Sequence, residues 1–159
     1  MPVTPDALRH AMSRFATGVT VIVSQLDGTV YGMTANAVTS VSLEPPLILV
    51  CVGRERTMHG VLERTRGFTV NVLSEEQEIL SRYFAGARHL LAEDALPFDG
   101  SQGTAHPVLE GVLAWMECTV TATYPGGDHT IFLAQVERAS WRDGRPLVFF
   151  GSRYTRLAP

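Results

Sequence analysis

Two cysteines in 159 residues, Cys51 and Cys118, each isolated in an apolar pattern, leave no disulfide framework and no metal knuckle. A reducing cytoplasm is the expected compartment. No sign of charge dominates: 13 basic and 16 acidic residues give a formal −3, and the basic ones form no stripe or arm. Nucleic acid is therefore not an expected partner. The longest uninterrupted apolar run, Leu47 to Val52, is far shorter than the roughly 20 residues a membrane helix needs, so no membrane is expected either. The opening MPVTPDAL has no basic stretch leading into an apolar one, which speaks against a secretory signal. No G-x-G-x-x-G follows a strand and no Walker-A loop is present, so the standard nucleotide cradles are missing. There is no G-x-S-x-G elbow, and His10, His59, His89, His106 and His129 lack metal-ligand spacing, so no metal is expected. No pair of carboxylates stands out as an acid–base couple. What the chain does have is 45% hydrophobic and 18% charged residues, which fits one domain over residues 1–159 with a substantial core.

The chain is organised around Tyr31 to Val52 (YGMTANAVTSVSLEPPLILVCV). A small polar segment from Gly32 to Ser42 is stopped by Pro45-Pro46, and the apolar run Leu47 to Val52 then reads as a buried strand. Before it, Thr4-Pro5-Asp6 starts a helix with the apolar face Leu8, Ala11, Met12 and Phe15, which Gly18 is placed to end. That helix reads as packing material. Val19 to Ser24 is strand-like, and Asp27-Gly28 turns it into Thr29 to Met33. Thr57 is placed to cap a second helix bearing Met58, Val61, Leu62 and Thr65, with Gly67 at its end. Phe68 to Val72 alternates as a half-buried strand. Ser74 to Gln77 is a capping box before a third helix with Ile79, Leu80, Tyr83 and Phe84 on its apolar face. Gly86 to Pro107 reads as a long surface loop. Val112 to Tyr124 and His129 to Trp141 pair across Pro125-Gly126-Gly127-Asp128, and Leu147 to Phe150 closes the series. Strands do not alternate with helices, so mainly antiparallel strands closing into a barrel fit better than a doubly wound sheet.

Three local features bear on chemistry. Arg54-Glu55-Arg56-Thr57 puts two guanidinium groups and a hydroxyl at a helix N-terminus, which suits a phosphate or is simply an exposed helix start. Thr34, Ala35, Asn36, Thr39 and Ser40 offer hydrogen bonds to the edge of a heteroaromatic ring, or are ordinary strand and turn residues. Gly127-Asp128-His129 sets an imidazole at the mouth of a hairpin, as a site residue or a surface one.

In order along nearly the whole chain, several short pieces resemble the flavin reductase-like family, the FMN-binding split barrels. They are Phe15 to Val21; Gly32 to Asn36 with Thr39 to Ser42; Pro45-Pro46-Leu47; Phe68 to Leu73; Gly127-Asp128-His129; and Pro146 to Gly151 with Tyr154. The chain looks most like the short NAD(P)H:flavin oxidoreductases that supply two-component monooxygenases. The resemblance implies a mainly β fold with a few helices: a six-stranded antiparallel split barrel. It implies a homodimer binding FMN or FAD near the subunit interface, with NADH or NADPH as hydride donor. A separate oxygenase component would receive reduced flavin by diffusion. By the same resemblance Thr34, Ala35, Asn36, Thr39 and Ser40 lie along the flavin. Cys51, Arg56 and Thr57 lie towards its phosphate, His129 lies near the nicotinamide, and Phe150 and Tyr154 lie near the flavin. After the third helix the family often carries an Arg-Phe pair; here the chain departs from it with Arg88-His89-Leu90-Leu91, of which Arg88 is taken as a cofactor-binding candidate. The rival to a reductase is a flavin carrier or store on the same barrel without NAD(P)H turnover.

Overall fold

The structure is a computed structural model describing residues 2–159. In chain order the strands are β1 (Thr17–Gly18), β2 (Thr20–Leu26), β3 (Thr29–Ala35), β4 (Val38–Leu43), β5 (Pro46–Gly53) and β6 (Gly67–Val72). They continue with β7 (Phe98–Asp99), β8 (Val108–Leu109), β9 (Ala114–Gly126), β10 (His129–Trp141), β11 (Val148–Phe150) and β12 (Arg153–Thr155). The helices are α1 (Pro5–Met12), α2 (Thr57–Thr65) and α3 (Glu78–Phe84).

Seven strands form the main antiparallel sheet in the order β3-β2-β6-β9-β10-β5-β4. Its two outer strands, β3 and β4, are consecutive in the chain with only Asn36 and Ala37 between them. Three peptide steps reach roughly 10 Å at most, so the sheet curls enough to bring the Ala35 end of β3 beside the Val38 end of β4. At that corner the Cys51 N–H donates to the Ala37 carbonyl at 3.1 Å, which extends the β4–β5 pairing by one residue. The sheet is antiparallel as expected, with seven strands where six are expected.

The unbroken β-branched run of β2 follows from burial on both faces. Ile22 joins one apolar cluster with Val50, Val52, Leu62, Phe68 and Phe132. Val21 and Val23 join a second with Leu73, Leu80, Tyr83, Phe84 and Leu147. Each such side chain, fully buried, contributes about 1.5–3 kcal/mol. β6 is buried likewise, not half-buried as its alternation suggests. Thr69 Oγ1 donates to the Pro107 carbonyl at 2.8 Å, and Asn71 Oδ1 accepts from the Leu109 N–H at 2.9 Å, so both polar side chains are satisfied inside. β5 differs from its reading in the other direction. Ile48, Val50 and Val52 are buried, while Leu47, Leu49 and Cys51 are only half-buried, so one face of this apolar strand borders open space.

The helices depart from expectation at their ends. Thr4 caps α1 by accepting from the Ala7 N–H at 3.1 Å, but the helix stops at Met12, capped at Ser13, and Gly18 lies in β1. No residue of α1 is buried: Leu8 and Met12 are more than half exposed, and Phe15 beyond it is 67% exposed. Among the described residues nothing covers its apolar face, so the helix is not the packing material expected. Arg56, not Thr57, has the extended backbone of a cap, and Thr57 is the first helical residue of α2. Arg66 (φ 57°) supplies the left-handed C-cap expected of Gly67. Gly67 is small for another reason: a Cβ there would come within 2.8 Å of His106 Nε2.

The Ser74 N–H donates to Gln77 Oε1 at 2.9 Å, on a 3-10 turn that leads into α3. Ile79, assigned to the α3 core face, is 44% exposed, and Ser81 is buried instead. Within the segment read as a bare loop, two 3-10 turns and β7 form, and β7 pairs with β8 just beyond it. His106 Nδ1 accepts the Gln25 N–H at 2.8 Å and ties this segment to β2.

Candidate functional site

The half-covered face of β5, the end of β3 and the start of β10 meet at one corner. The register that pairs His129 with Gly53 lays the start of β10 against the end of β5. A cavity of about 240 Å³ opens there, and Thr34, Ala35, Asn36, Cys51, Arg56 and His129 all line it. Gly53 keeps the corner passable. A Cβ on it would lie 3.4 Å from Arg56 Cγ and 3.8 Å from His129 Nε2, so both side chains rest against bare backbone. His129 Nδ1 lies 2.7 Å from Asp128 Oδ1. The hydrogen bond to His129 is the main cause that holds the Asp128 carboxyl below the usual range. Burial pushes the Cys51 thiol up, which makes it a poor nucleophile.

A second cavity of about 700 Å³ continues from the first, sharing Met33, Arg56, Phe84 and Ala85 with it. Thr57 and Arg88 line this larger space. The Arg88 guanidinium lies 4.8 Å from the Tyr83 ring centre and 5.8 Å from that of Phe84, so aromatic faces hold it in place. Among the described residues neither Arg56 nor Arg88 has an acidic partner within ion-pair distance. Gly32 is tight against Phe84, whose ring a Cβ at that position would overlap. As the outer strand, β3 pairs only with β2, so its outward backbone groups have no strand partner beside these cavities.

Seven of the residues proposed from sequence thus line one of the two joined cavities together with His129. The others do not. Thr39 and Ser40 lie exposed on β4, paired with Leu49 and Ile48. Phe150 packs under Arg14, whose guanidinium is 4.9 Å from its ring centre. Tyr154 Oη lies 2.6 Å from Ser81 Oγ, and the Ser81 carbonyl accepts from Thr34 Oγ1 at 2.6 Å. Tyr154 therefore reaches the site only through α3, and the Thr34 hydroxyl proton is already committed. Arg54 turns away from Arg56 into a separate cavity of about 220 Å³ beside His59. Sequence reasoning missed Met33, Gly53, Phe84 and Ala85. Phe84 reads as an ordinary core position on an apolar helix face, and only the glycine ending the β5 run hints at a close approach.

The arrangement offers strand-edge groups, Arg56 at the N-terminus of α2 with Arg88 in the same cavity, aromatic walls and one imidazole at the mouth. It suits a flat heteroaromatic ring carrying an anionic tail. Residues 12–158 match the family described as flavin reductase like domain. An NADH-dependent flavin reductase from Rhodococcus sp is 42% identical over 158 residues, covering 98% of this chain and 88% of the relative. The reductase component of 4-hydroxyphenylacetate 3-monooxygenase from Thermus thermophilus is 39% identical over 153 residues, covering 96% of each. Among solved structures, flavin reductase PheA2 in its native state superposes with a TM-score of 0.90 at 39% identity, covering 98% of this chain and 99% of that one.

Proposed function

The chain belongs to the flavin reductase like domain family, and from that premise we propose that it is an NAD(P)H-dependent flavin reductase that passes reduced FMN or FAD to a separate monooxygenase. The observation that carries the reading is the pair of joined cavities, with His129 at the mouth of the smaller and Arg56 where the two meet. The residues present fit a flavin. The outer edge of β3 at Met33 to Ala35, with Asn36 just beyond it, would hold a ring edge, and Arg56 and Arg88 with the N-terminus of α2 would hold the phosphate. When bound, the two cofactors supply the chemistry themselves, hydride passing from nicotinamide C4 to flavin N5.

The protein's part is to place the rings within roughly 3–3.5 Å and to hold donors towards the developing anion. His129 orients the nicotinamide, so no acid–base pair of carboxylates is required. The relative from Rhodococcus is NADH-dependent by name, which supports NADH as the donor. The Thermus relative is a monooxygenase component, which supports an oxygenase as the recipient of reduced flavin. The bare apolar face of α1 supports a homodimer. That face borders a cavity of about 350 Å³ lined by Met12, Phe15, Asn36 and Ala37, and the last two also line the flavin cavity. Among the described residues no helix is long and apolar enough to cross a membrane.

Anaerobic addition of NADH to flavin-loaded protein tests the reading. Rapid bleaching of the flavin absorbance is expected; a spectrum that stays oxidised would leave a flavin carrier or store.

A further inference from the structure

Resting on that reading, a neighbour of His129 decides which coenzyme ring the site takes. We propose that Asp128 is a positioning residue that keeps the His129 proton on Nδ1, so that Nε2 meets the cavity as an acceptor and selects a nicotinamide carboxamide over the corresponding carboxylate.

The argument begins with donor inventory. An ionised carboxylate only accepts hydrogen bonds, so the 2.7 Å contact between Asp128 Oδ1 and His129 Nδ1 requires the proton to sit on Nδ1. A neutral imidazole protonated there has only a lone pair at Nε2. The backbone on both sides of the pair is pinned: the Arg54 N–H donates to the Asp128 carbonyl at 3.0 Å, and His129 is in register with Gly53. Among the described residues Nε2 makes no hydrogen bond, and Gly53 beside it has no side chain: a Cβ built there would lie 3.8 Å from Nε2. The Nε2 lone pair is thus left for a ligand.

A carboxamide N–H₂ donates to that lone pair. A carboxylate has acceptors only and would set lone pair against lone pair. Arg56 beside the ring does not reverse this preference, since in the reading above it is engaged by the flavin phosphate. His129 is half exposed and Asp128 almost fully so. The discrimination is accordingly smaller than the 10⁴–10⁵ reached where buried polar groups are left unpaired.

The test compares reduced NAD with its reduced nicotinic-acid analogue at saturating FMN, in the wild type and in Asp128→Asn. The wild type is expected to favour the carboxamide about tenfold in kcat/KM. Asp128→Asn keeps the shape but can donate to Nδ1 and so releases the tautomer. Its preference should fall to within about twofold, chiefly through a raised KM for the carboxamide coenzyme. Nitrogen-15 spectra of the histidine rings report the tautomer directly, and a purely structural role for Asp128 would not move them. Equal use of both coenzymes by the wild type, or an Asp128→Asn protein that keeps both preference and tautomer, overturns the proposal. Oxidation of neither coenzyme would instead overturn the reductase reading itself, and this selection with it.

Discussion

Two arginines separated by one residue leave the same turn in opposite directions, and this sorts their roles. Arg56 points into the joined cavities, while Arg54 lines the separate space beside His59. Arg56→Ala should therefore weaken FMN binding by about tenfold, since a hydrogen bond to a charged group contributes roughly 1.5–3 kcal/mol. Riboflavin, which has no phosphate, should bind the variant as it binds the wild type, and Arg54→Ala should leave both affinities unchanged. Titration of flavin fluorescence measures all of these, and equal losses for FMN and riboflavin would remove the phosphate role. The residues of this site that are readable in sequence are those whose chemistry is unusual for their position. Arg56 at a helix start, His129 after a Gly-Asp turn and the small polar group Thr34 to Asn36 all stand out. Phe84 and Ala85 do not, because an apolar residue on an apolar helix face looks the same whether it borders a core or a cavity. Thr39 and Ser40 share the chemistry of Thr34, but they lie past the corner at Asn36-Ala37, and alternation along the chain carries no sign of that bend.

At the level of elements, strands are legible where burial is uniform and misread where a face is shared with a loop. Thr69 and Asn71 look solvent-facing by alternation, yet the segment ending at Leu109 covers them and satisfies their polar atoms. His106 is the latch of that segment: as a neutral acceptor it takes the Gln25 N–H. Burial holds its pKa below the usual 6.5, against a smaller opposing pull from Glu117. The unfolded chain therefore binds this proton more tightly than the folded one. The stability that goes with neutral His106 is present above about pH 6.5 and is lost as pH falls through the lowered folded value. Urea unfolding of the wild type at about pH 7 and about pH 5.5 should show a drop in midpoint that is smaller in His106→Asn. Identical drops would mean that the latch does not titrate in this window. Helix ends were the least legible feature. Gly18 and Gly67 look like stop signals, but one sits in a strand and the other makes room for this same histidine.

For the molecule as a whole, the conspicuous feature is an amphipathic helix with no core beneath it. Its Thr4 cap and its spacing of Leu8 and Met12 are readable in sequence, whereas the lack of a partner among the described residues is not, since periodicity reports a face and not what covers it. A second copy would bury Leu8, Met12 and Phe15, each worth about 1.5–3 kcal/mol when fully covered. Light scattering should accordingly find the wild type dimeric and a Leu8→Ser/Met12→Ser protein monomeric with its far-ultraviolet spectrum retained. A wild type that is monomeric at micromolar concentration would remove the dimer.

The two longest strands, β9 and β10 with 13 residues each, are joined by only Gly127 and Asp128, the turn that presents His129. Contacts so close in sequence cost little loop-closure entropy, so this hairpin can order while the rest of the chain is still searching. The seam between β3 and β4 joins the two outermost strands and has no shape until the five strands between them are in place. One wall of the site thus comes from the chain's most local structure and the other from its least local, and an empty, half-folded chain would carry the imidazole without the groove it serves.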